Sequence, residues 1–197
     1  MPVLLLEPYV FPANILTYPI DFLPDRAARW WVIQTRPRAE KSLARSLFGY
    51  ETPFFLPLSR KCLNRRGRTV ASYLPLFPSY VFLFGTNEQR IQSLTTNTTV
   101  HTLAVQDQQR LWTDLARLYQ LMVAGASLVP EERLEPGTWV EITAGPLFGM
   151  KGRIIRRANH LRFVVDIDFL QRGASVEVDE AMITPADPIG RPIRMCA

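Results

Sequence analysis

Apolar residues recur with different periods in successive stretches of this chain, and each period predicts an element. Trp30-Trp31-Val32-Ile33-Gln34-Thr35 is an aromatic and β-branched run, which predicts a strand. Beyond it, Ala39, Leu43, Ala44, Leu47 and Phe48 share one face at the helical period, with Arg38, Lys41 and Arg45 on the other. An amphipathic helix with a basic outer stripe is expected, with Thr35 able to cap it, Pro37 in its first turn and Gly49 at its end. Residues 54–58 and 69–74 read as strands. In the aromatic run after Pro78, Tyr80, Phe82 and Phe84 alternate with Val81 and Leu83, so both faces of that strand are apolar and both need cover. A short helix over 88–95 and a strand over 100–105 follow. Asp107 then starts a helix to 124, with Leu111, Trp112, Leu115, Leu118, Tyr119, Met122 and Val123 at the 3.6-residue period and Gly125 as its stop. This order of elements predicts an α+β fold, an antiparallel sheet flanked by helices.

The pattern changes after Gly125. Residues 125–137 are polar and interrupted by Pro130 and Pro136, as in a linker. Short β-type segments follow at 139–143, 152–157, 161–168 and 176–178 with no helical period, and a small closed barrel would remove their exposed edges. At the other end, Pro2, Pro8, Pro12, Pro19 and Pro24 forbid a continuous helix or a central strand. The apolar content there (Leu4, Leu5, Leu6, Tyr9, Val10, Phe11, Ile15, Leu16) is too high for a solvated tail, so the segment should lie extended on the surface of the next domain. The expected organisation is a proline-rich extension (1–28), an α+β domain (29–125), a linker (126–135), a small β domain (136–186) and a C-terminal tail (187–197).

Charge changes this picture in one respect. The 197 residues carry a net +5 and are 47% hydrophobic, which excludes wholesale disorder. The excess lies in residues 30–105, with ten basic and three acidic side chains; the rest of the chain is near neutral. Chance clustering is the plain alternative to a basic module meant for a polyanion. Between the strands at 54–58 and 69–74, Arg60, Lys61, Arg65, Arg66 and Arg68 stand with no acidic residue among them. Such a segment cannot bury itself and is expected as an exposed hairpin tip suited to phosphates.

Other classes are weakened. Cys62 and Cys196 are the only cysteines, so neither a disulfide framework nor a four-cysteine zinc site can be built. The apolar run at 3–6 is too short for a secretory signal, and the uncharged stretch 69–87 contains Pro75, Pro78 and Gly85, so it reads as strands rather than a membrane span. A cytoplasmic setting is expected. For an enzyme, only His101 and His160 offer imidazoles, Cys62 has no motif-linked base, and Asp166 with Asp168 reads as solvated strand surface. No catalytic residue, metal or cofactor is expected.

Val140-Glu141-Ile142-Thr143-Ala144-Gly145-Pro146-Leu147-Phe148-Gly149-Met150-Lys151-Gly152-Arg153-Ile154-Ile155 is a strand, a glycine-bearing turn and a second strand. It resembles the KOW motif, an SH3-like barrel signature of NusG-type transcription factors and some ribosomal proteins. Upstream, Arg29-Trp30-Trp31-Val32-Ile33-Gln34-Thr35, Glu40-Lys41, the basic hairpin and Leu76-Phe77-Pro78-Ser79-Tyr80-Val81-Phe82 resemble the NGN domain of the NusG family. The resemblance spans about residues 29–186. Trp31 stands where the family usually has Tyr, and Ser79 where it usually has Gly, the latter similar to the specialised RfaH-type paralogues; the extension also points away from a housekeeping NusG.

The resemblance implies a transcription elongation or antitermination factor whose NGN domain binds the clamp helices of bacterial RNA polymerase through a hydrophobic face. By position, Trp31, Gln34, Phe77, Pro78, Tyr80 and Phe82 are the polymerase-facing candidates. Because strand side chains alternate they cannot all touch the partner; Tyr80 and Phe82 with Pro78 are favoured, and Phe77 is left for the core. Gln92-Ser93-Leu94-Thr95 is the nearest counterpart of a polar tripeptide that touches the far side of the channel, and departs from it. Arg36, Arg38, Lys41, Arg45, Arg60, Lys61, Arg65, Arg66 and Arg68 would meet non-template or upstream DNA. Leu147, Phe148, Phe169 and Leu170 would contact Rho or a small-subunit ribosomal protein, Phe169-Leu170 being preferred because two successive strand residues cannot both face a core. Refolding of the barrel into helices, implied by RfaH-like relatives, is opposed by Gly145, Pro146, Gly149 and Gly152. A monomer is expected. A ribosome-associated KOW protein that binds RNA is the other reading, and it leaves the upstream half without a role.

Overall fold

The computed structural model describes residues 8–17, 27–65, 68–131, 137–157 and 160–186, with only the backbone for 62–65, 68–71, 156 and 157. Arg66, the side chains of Cys62, Arg65 and Arg68, the segments 1–7 and 18–26 of the extension, and the tail 187–197 with Cys196 lie outside the described residues.

An α+β arrangement emerges, as the periods predict. Five antiparallel strands, β1 (Val10–Phe11), β2 (Arg29–Thr35), β3 (Phe54–Phe55), β6 (Tyr80–Gly85) and β7 (Thr99–Ala104), form one sheet in the order β1-β3-β6-β2-β7. Between β3 and β6, β4 (Leu58–Arg65) and β5 (Arg68–Pro75) pair as a separate two-stranded ribbon in continuous register from Leu58↔Pro75 to Arg65↔Arg68. Strand pairing thus runs through residues expected as a hairpin tip, satisfying the backbone, and Arg60 and Lys61 stand exposed on the ribbon.

Helix α1 (Glu40–Gly49) begins later than Thr35 and Pro37 suggested. Ala39 is its N-cap with no side-chain cap bond, because Arg38 adopts φ 64° and turns the chain before the helix. Gly49 is its last helical residue rather than the residue beyond it. Helix α2 (Asn87–Leu94) has a complete capping box between Thr86 and Gln89, and α3 (Gln108–Val123) is capped by Asp107 and stopped at Gly125, whose φ is 73°.

The sheet is buried on both faces. Trp30, Val32, Phe82, Phe84 and Phe55 pack toward α3, through Leu111, Leu115, Leu118 and Leu121. Trp31, Ile33, Val81, Leu83 and Phe54 pack against Leu43, Ala44 and Leu47 of α1. The extension seals one edge. Val10 and Phe11 pair with Phe55 and Phe54, Leu56 N–H donates to the Tyr9 carbonyl at 2.6 Å, and Ile15 and Leu16 are buried within a turn at 13–17. The described part of the extension is therefore one edge strand followed by a buried turn, rather than a surface-lying extended chain.

The second unit is a six-stranded antiparallel sheet in the order β13-β9-β10-β11-β12-β8: β8 (Val129–Glu131), β9 (Thr138–Ile142), β10 (Lys151–Arg157), β11 (His160–Ile167), β12 (Arg172–Val178) and β13 (Ile183–Pro185). β8 belongs to the expected linker. Pairing with β12, buried Leu128 and the Ser59 hydroxyl donating to the Leu128 carbonyl at 2.7 Å hold that segment down. Gly149 (φ 77°) makes the β9–β10 turn, and at Gly152 a Cβ would come within 2.6 Å of the Phe163 ring. Phe169 and Leu170 lie in a 3-10 turn (Asp168–Leu170), not in a strand, so the alternation argument does not apply to them.

Candidate functional site

The six aromatic-face candidates divide by strand parity. Trp31 faces α1, is only 5% exposed, and is flanked by the Arg29 and Arg90 guanidinium groups at 4.3 and 5.0 Å from its ring. Its indole N–H donates to the Gly85 carbonyl at 3.2 Å. On the opposite face, Phe82 is fully buried, stacked with Phe55 at 6.4 Å and edge-on to Phe77, itself buried. Only Gln34 and Tyr80, a cross-strand pair, are half-buried, and Pro78 is exposed. The accessible part of this face is thus its Gln34–Tyr80–Pro78 end. Arg172 of the second sheet lies over the Tyr80 ring at 5.6 Å.

The turn between Phe77 and Tyr80 is tightly held. Ser79 has φ 68°, a conformation that costs a non-glycine residue about 1–3 kcal/mol. Its N–H donates to the buried Glu40 carboxylate at 2.6 Å and its carbonyl accepts from Thr35 N–H at 2.9 Å, so both sides of the strained peptide are fixed. Beside it opens a cleft of about 500 Å³, lined by Arg38, Lys41 and Lys61 together with Ser59, Leu74, Pro78 and Ser79. The α1 stripe and the base of the ribbon, far apart in sequence, therefore converge. Arg36 hydrogen-bonds Asn97 at 3.0 Å, Arg45 donates to the Lys41 carbonyl at 3.3 Å, and Arg60 is exposed on the ribbon. Around Ser93, the hydroxyls of Thr95, Thr96 and Thr99 all donate to backbone carbonyls of 92–93.

The apolar candidates of the second unit occupy two different crevices. Leu147 and Phe148, the latter 75% exposed, line a groove of about 1020 Å³ with Trp112, Ala116, Tyr119 and Val123 of α3. Phe169, 37% exposed, borders a smaller crevice with Val105 and Arg110; Leu170 is packed against the core.

Charged groups also link α3 to the second sheet, and they overturn the expectation that Asp166 and Asp168 are solvated strand surface: Asp166 is largely buried against Arg153, and Asp168 lies in the 3-10 turn beside α3. Asp114 on α3 is buried and accepts the Asp168 N–H at 3.2 Å, while Arg110 pairs with the Asp168 carboxylate at 3.2 Å. Burial pushes the Asp114 carboxyl up to about 7, and the Asp168 N–H and the Arg117 and Arg110 charges only partly oppose this. The signal was present: Asp114 falls between Leu111 and Leu115 on the apolar stripe of its helix. Arg153 and Asp166, both largely buried, form a two-contact pair at 2.6 and 2.7 Å. His101 is exposed, and His160 is exposed and pairs with Glu177 at 2.7 Å. Among the described residues no group of three or more His, Cys, Asp or Glu could hold a metal ion, and no helix is long and apolar enough to cross a membrane.

An antiparallel sheet buried between helices, with a basic ribbon inserted between two of its strands, defines an α+β module with a cationic edge. Residues 28–113, which contain four of the five strands of that sheet (β2, β3, β6 and β7), the ribbon, α1, α2 and the start of α3, match the family described as "Transcription termination factor nusG", so this segment of the chain is similar to the NusG family. No curated protein matches the chain significantly. The NusG family is one of transcription elongation and antitermination factors rather than enzymes, and its members bind RNA polymerase.

Proposed function

We propose that this chain is an elongation or antitermination factor of the specialised RfaH-like kind, rather than a housekeeping NusG. In this reading residues 29–125 are the NGN domain, and 136–186 form a KOW-type SH3-like barrel. The NGN domain docks on the clamp helices of bacterial RNA polymerase, and the observation that carries this is the Gln34–Tyr80–Pro78 end of an otherwise sealed aromatic face. Trp31, Phe77 and Phe82 support that surface from beneath. The cleft lined by Arg38, Lys41 and Lys61 meets non-template or upstream DNA by phosphate contacts, which position but do not specify sequence, and Arg36, Arg45, Arg60, Arg65, Arg66 and Arg68 are the further cations assigned to that role. Leu147 and Phe148, with Phe169 and Leu170, are the surface for Rho or a small-subunit ribosomal protein. The factor acts as a cytoplasmic monomer.

Binding of the full chain to core polymerase tests this reading. Tyr80→Ala should weaken binding about tenfold or more, as truncation of an interface aromatic does. Replacing Arg38, Lys41 and Lys61 by Ala should flatten the log–log salt dependence of binding to an elongation complex by about 0.7 for each single-strand phosphate no longer neutralised. Unchanged affinity and slope, with binding to ribosomal RNA instead, would favour the ribosome-associated alternative.

A further inference from the structure

The aromatic face contains a residue that is well placed by sequence and yet inaccessible: Phe82 is at 0% exposure, and so is Phe55 beside it. The chain itself supplies cover at that end. After the edge strand β1, the segment turns across the gap between β3 and α3. The Tyr119 hydroxyl of α3 donates to the Ala13 carbonyl at 3.2 Å, and the Tyr119 ring meets Phe55 edge-on at 5.9 Å. Ile15 and Leu16, only 2% and 4% exposed, enter the same apolar cluster as Phe55, Phe82 and Leu118. On the sheet side the anchorage is slight. A two-residue strand paired with β3, the Leu56 N–H to Tyr9 carbonyl bond and the edge-on Phe11–Phe48 contact at 5.3 Å hold it, against seven residues in the interior strand β2. Two buried aliphatic side chains on a short, weakly paired segment have the form of a removable plug.

We infer that residues 8–17 are a self-docked strap that closes the Phe55–Phe82 end of the polymerase-binding face, and that its release exposes this end to an apolar helical partner surface. The inference rests on the docking role proposed above. It assigns the extension a defined job: while the strap is seated only the Tyr80 end of the face is available, so affinity is lowered by the fraction of molecules that are closed.

The test compares the full chain with Ile15→Asp/Leu16→Asp, whose carboxylates cannot remain in the slot, and with Tyr119→Phe, which deletes only the hydroxyl bond to Ala13. Circular dichroism confirms folding, bis-ANS fluorescence reads exposed apolar surface, and binding to core RNA polymerase reads function. The aspartate pair is expected to raise dye binding and to tighten polymerase binding by about tenfold; Tyr119→Phe should tighten it by about threefold, the effect of one neutral hydrogen bond. Tyr119→Phe should add nothing in the aspartate background, since the strap has already left. A folded aspartate variant that takes up dye but binds polymerase no more tightly overturns the strap, as does one that exposes no apolar surface. If instead Tyr80→Ala also leaves polymerase binding unchanged, the docking face is misassigned and the strap inference falls with it.

Discussion

Replacing Asp114 by Asn isolates a buried charge at the contact between the two sheets. In the folded chain burial raises this carboxyl from 3.8 to about 7. Below pH about 4 it is protonated in both folded and unfolded chains and contributes no pH dependence. Between pH about 4 and about 7 the unfolded chain has lost the proton and the folded chain keeps it, so stability falls as pH rises. Above about 7 the loss is complete. At about 1.4 kcal/mol per pH unit over about three units, the ceiling on this loss is about 4 kcal/mol. A second route limits it: if the Asp168 turn lifts off α3, the carboxylate reaches water, so the measured loss cannot exceed the free energy that holds the two sheets together. Asparagine keeps an amide oxygen able to accept the Asp168 N–H and carries no charge. Urea unfolding of both proteins from pH 4 to 8 at constant ionic strength should therefore show Asp114→Asn gaining stability relative to the parent as pH rises, with the gain levelling off near pH 7. Other carboxylates cancel in the difference. Parallel stability curves for the two proteins would refute the reasoning.

Two further outcomes follow from packing in the second sheet. Gly152→Ala places a Cβ within 2.6 Å of the Phe163 ring and 2.8 Å of the Val164 carbonyl, so thermal unfolding should show a loss of about 1–3 kcal/mol, whereas a Cβ at Gly145 or Gly149 would meet nothing within 4 Å. Arg153→Met strands the Asp166 carboxylate in a largely buried site, with an expected cost of about 3–5 kcal/mol by denaturant titration. Combining it with Asp166→Leu should recover much of that cost, and a double variant as unstable as the single would mean that the pair is not what holds β10 to β11.

The elements were legible where one period ran uninterrupted. The α3 stripe, its Asp107 cap and Gly125 stop, and the two-faced apolar strand β6 all lie where alternation and capping predict. The errors came where tertiary pairing decided between options that local sequence leaves equal. Ser59 to Arg68 has the composition of a connecting turn, yet cross-strand pairing makes it a ribbon, since nothing in a run of cations forbids a strand whose charged side chains, as at Arg60 and Lys61, reach water. Arg38 in the left-handed region, which delayed α1, has no local signature; the Ser79–Glu40 contact next to it comes from a residue thirty-nine positions away. The linker composition of 126–135 was correctly polar, but β8 pairs there because β12 otherwise presents an open edge.

Site residues follow the same division between what alternation fixes and what it leaves open. Parity alone separates Trp31 from Gln34, Tyr80 and Phe82 and places them on opposite faces of the sheet. It cannot say which part of a face is covered, because cover is supplied by elements distant in sequence: α3, the turn at 13–17, and Arg172 over Tyr80. This governs how mutations on the face must be read. Truncating the fully buried Phe82 to Ala should cost about 3–5 kcal/mol of stability through the cavity it leaves, whether or not a partner ever touches the ring. Lost binding in that variant therefore reports folding first. Tyr80, half-exposed at the rim, can be truncated with a much smaller stability loss, so a binding defect there is a contact defect. A face whose inner half is core and whose outer half is open is tested from its outer half, and the inner half becomes interpretable only in chains from which the strap has been displaced.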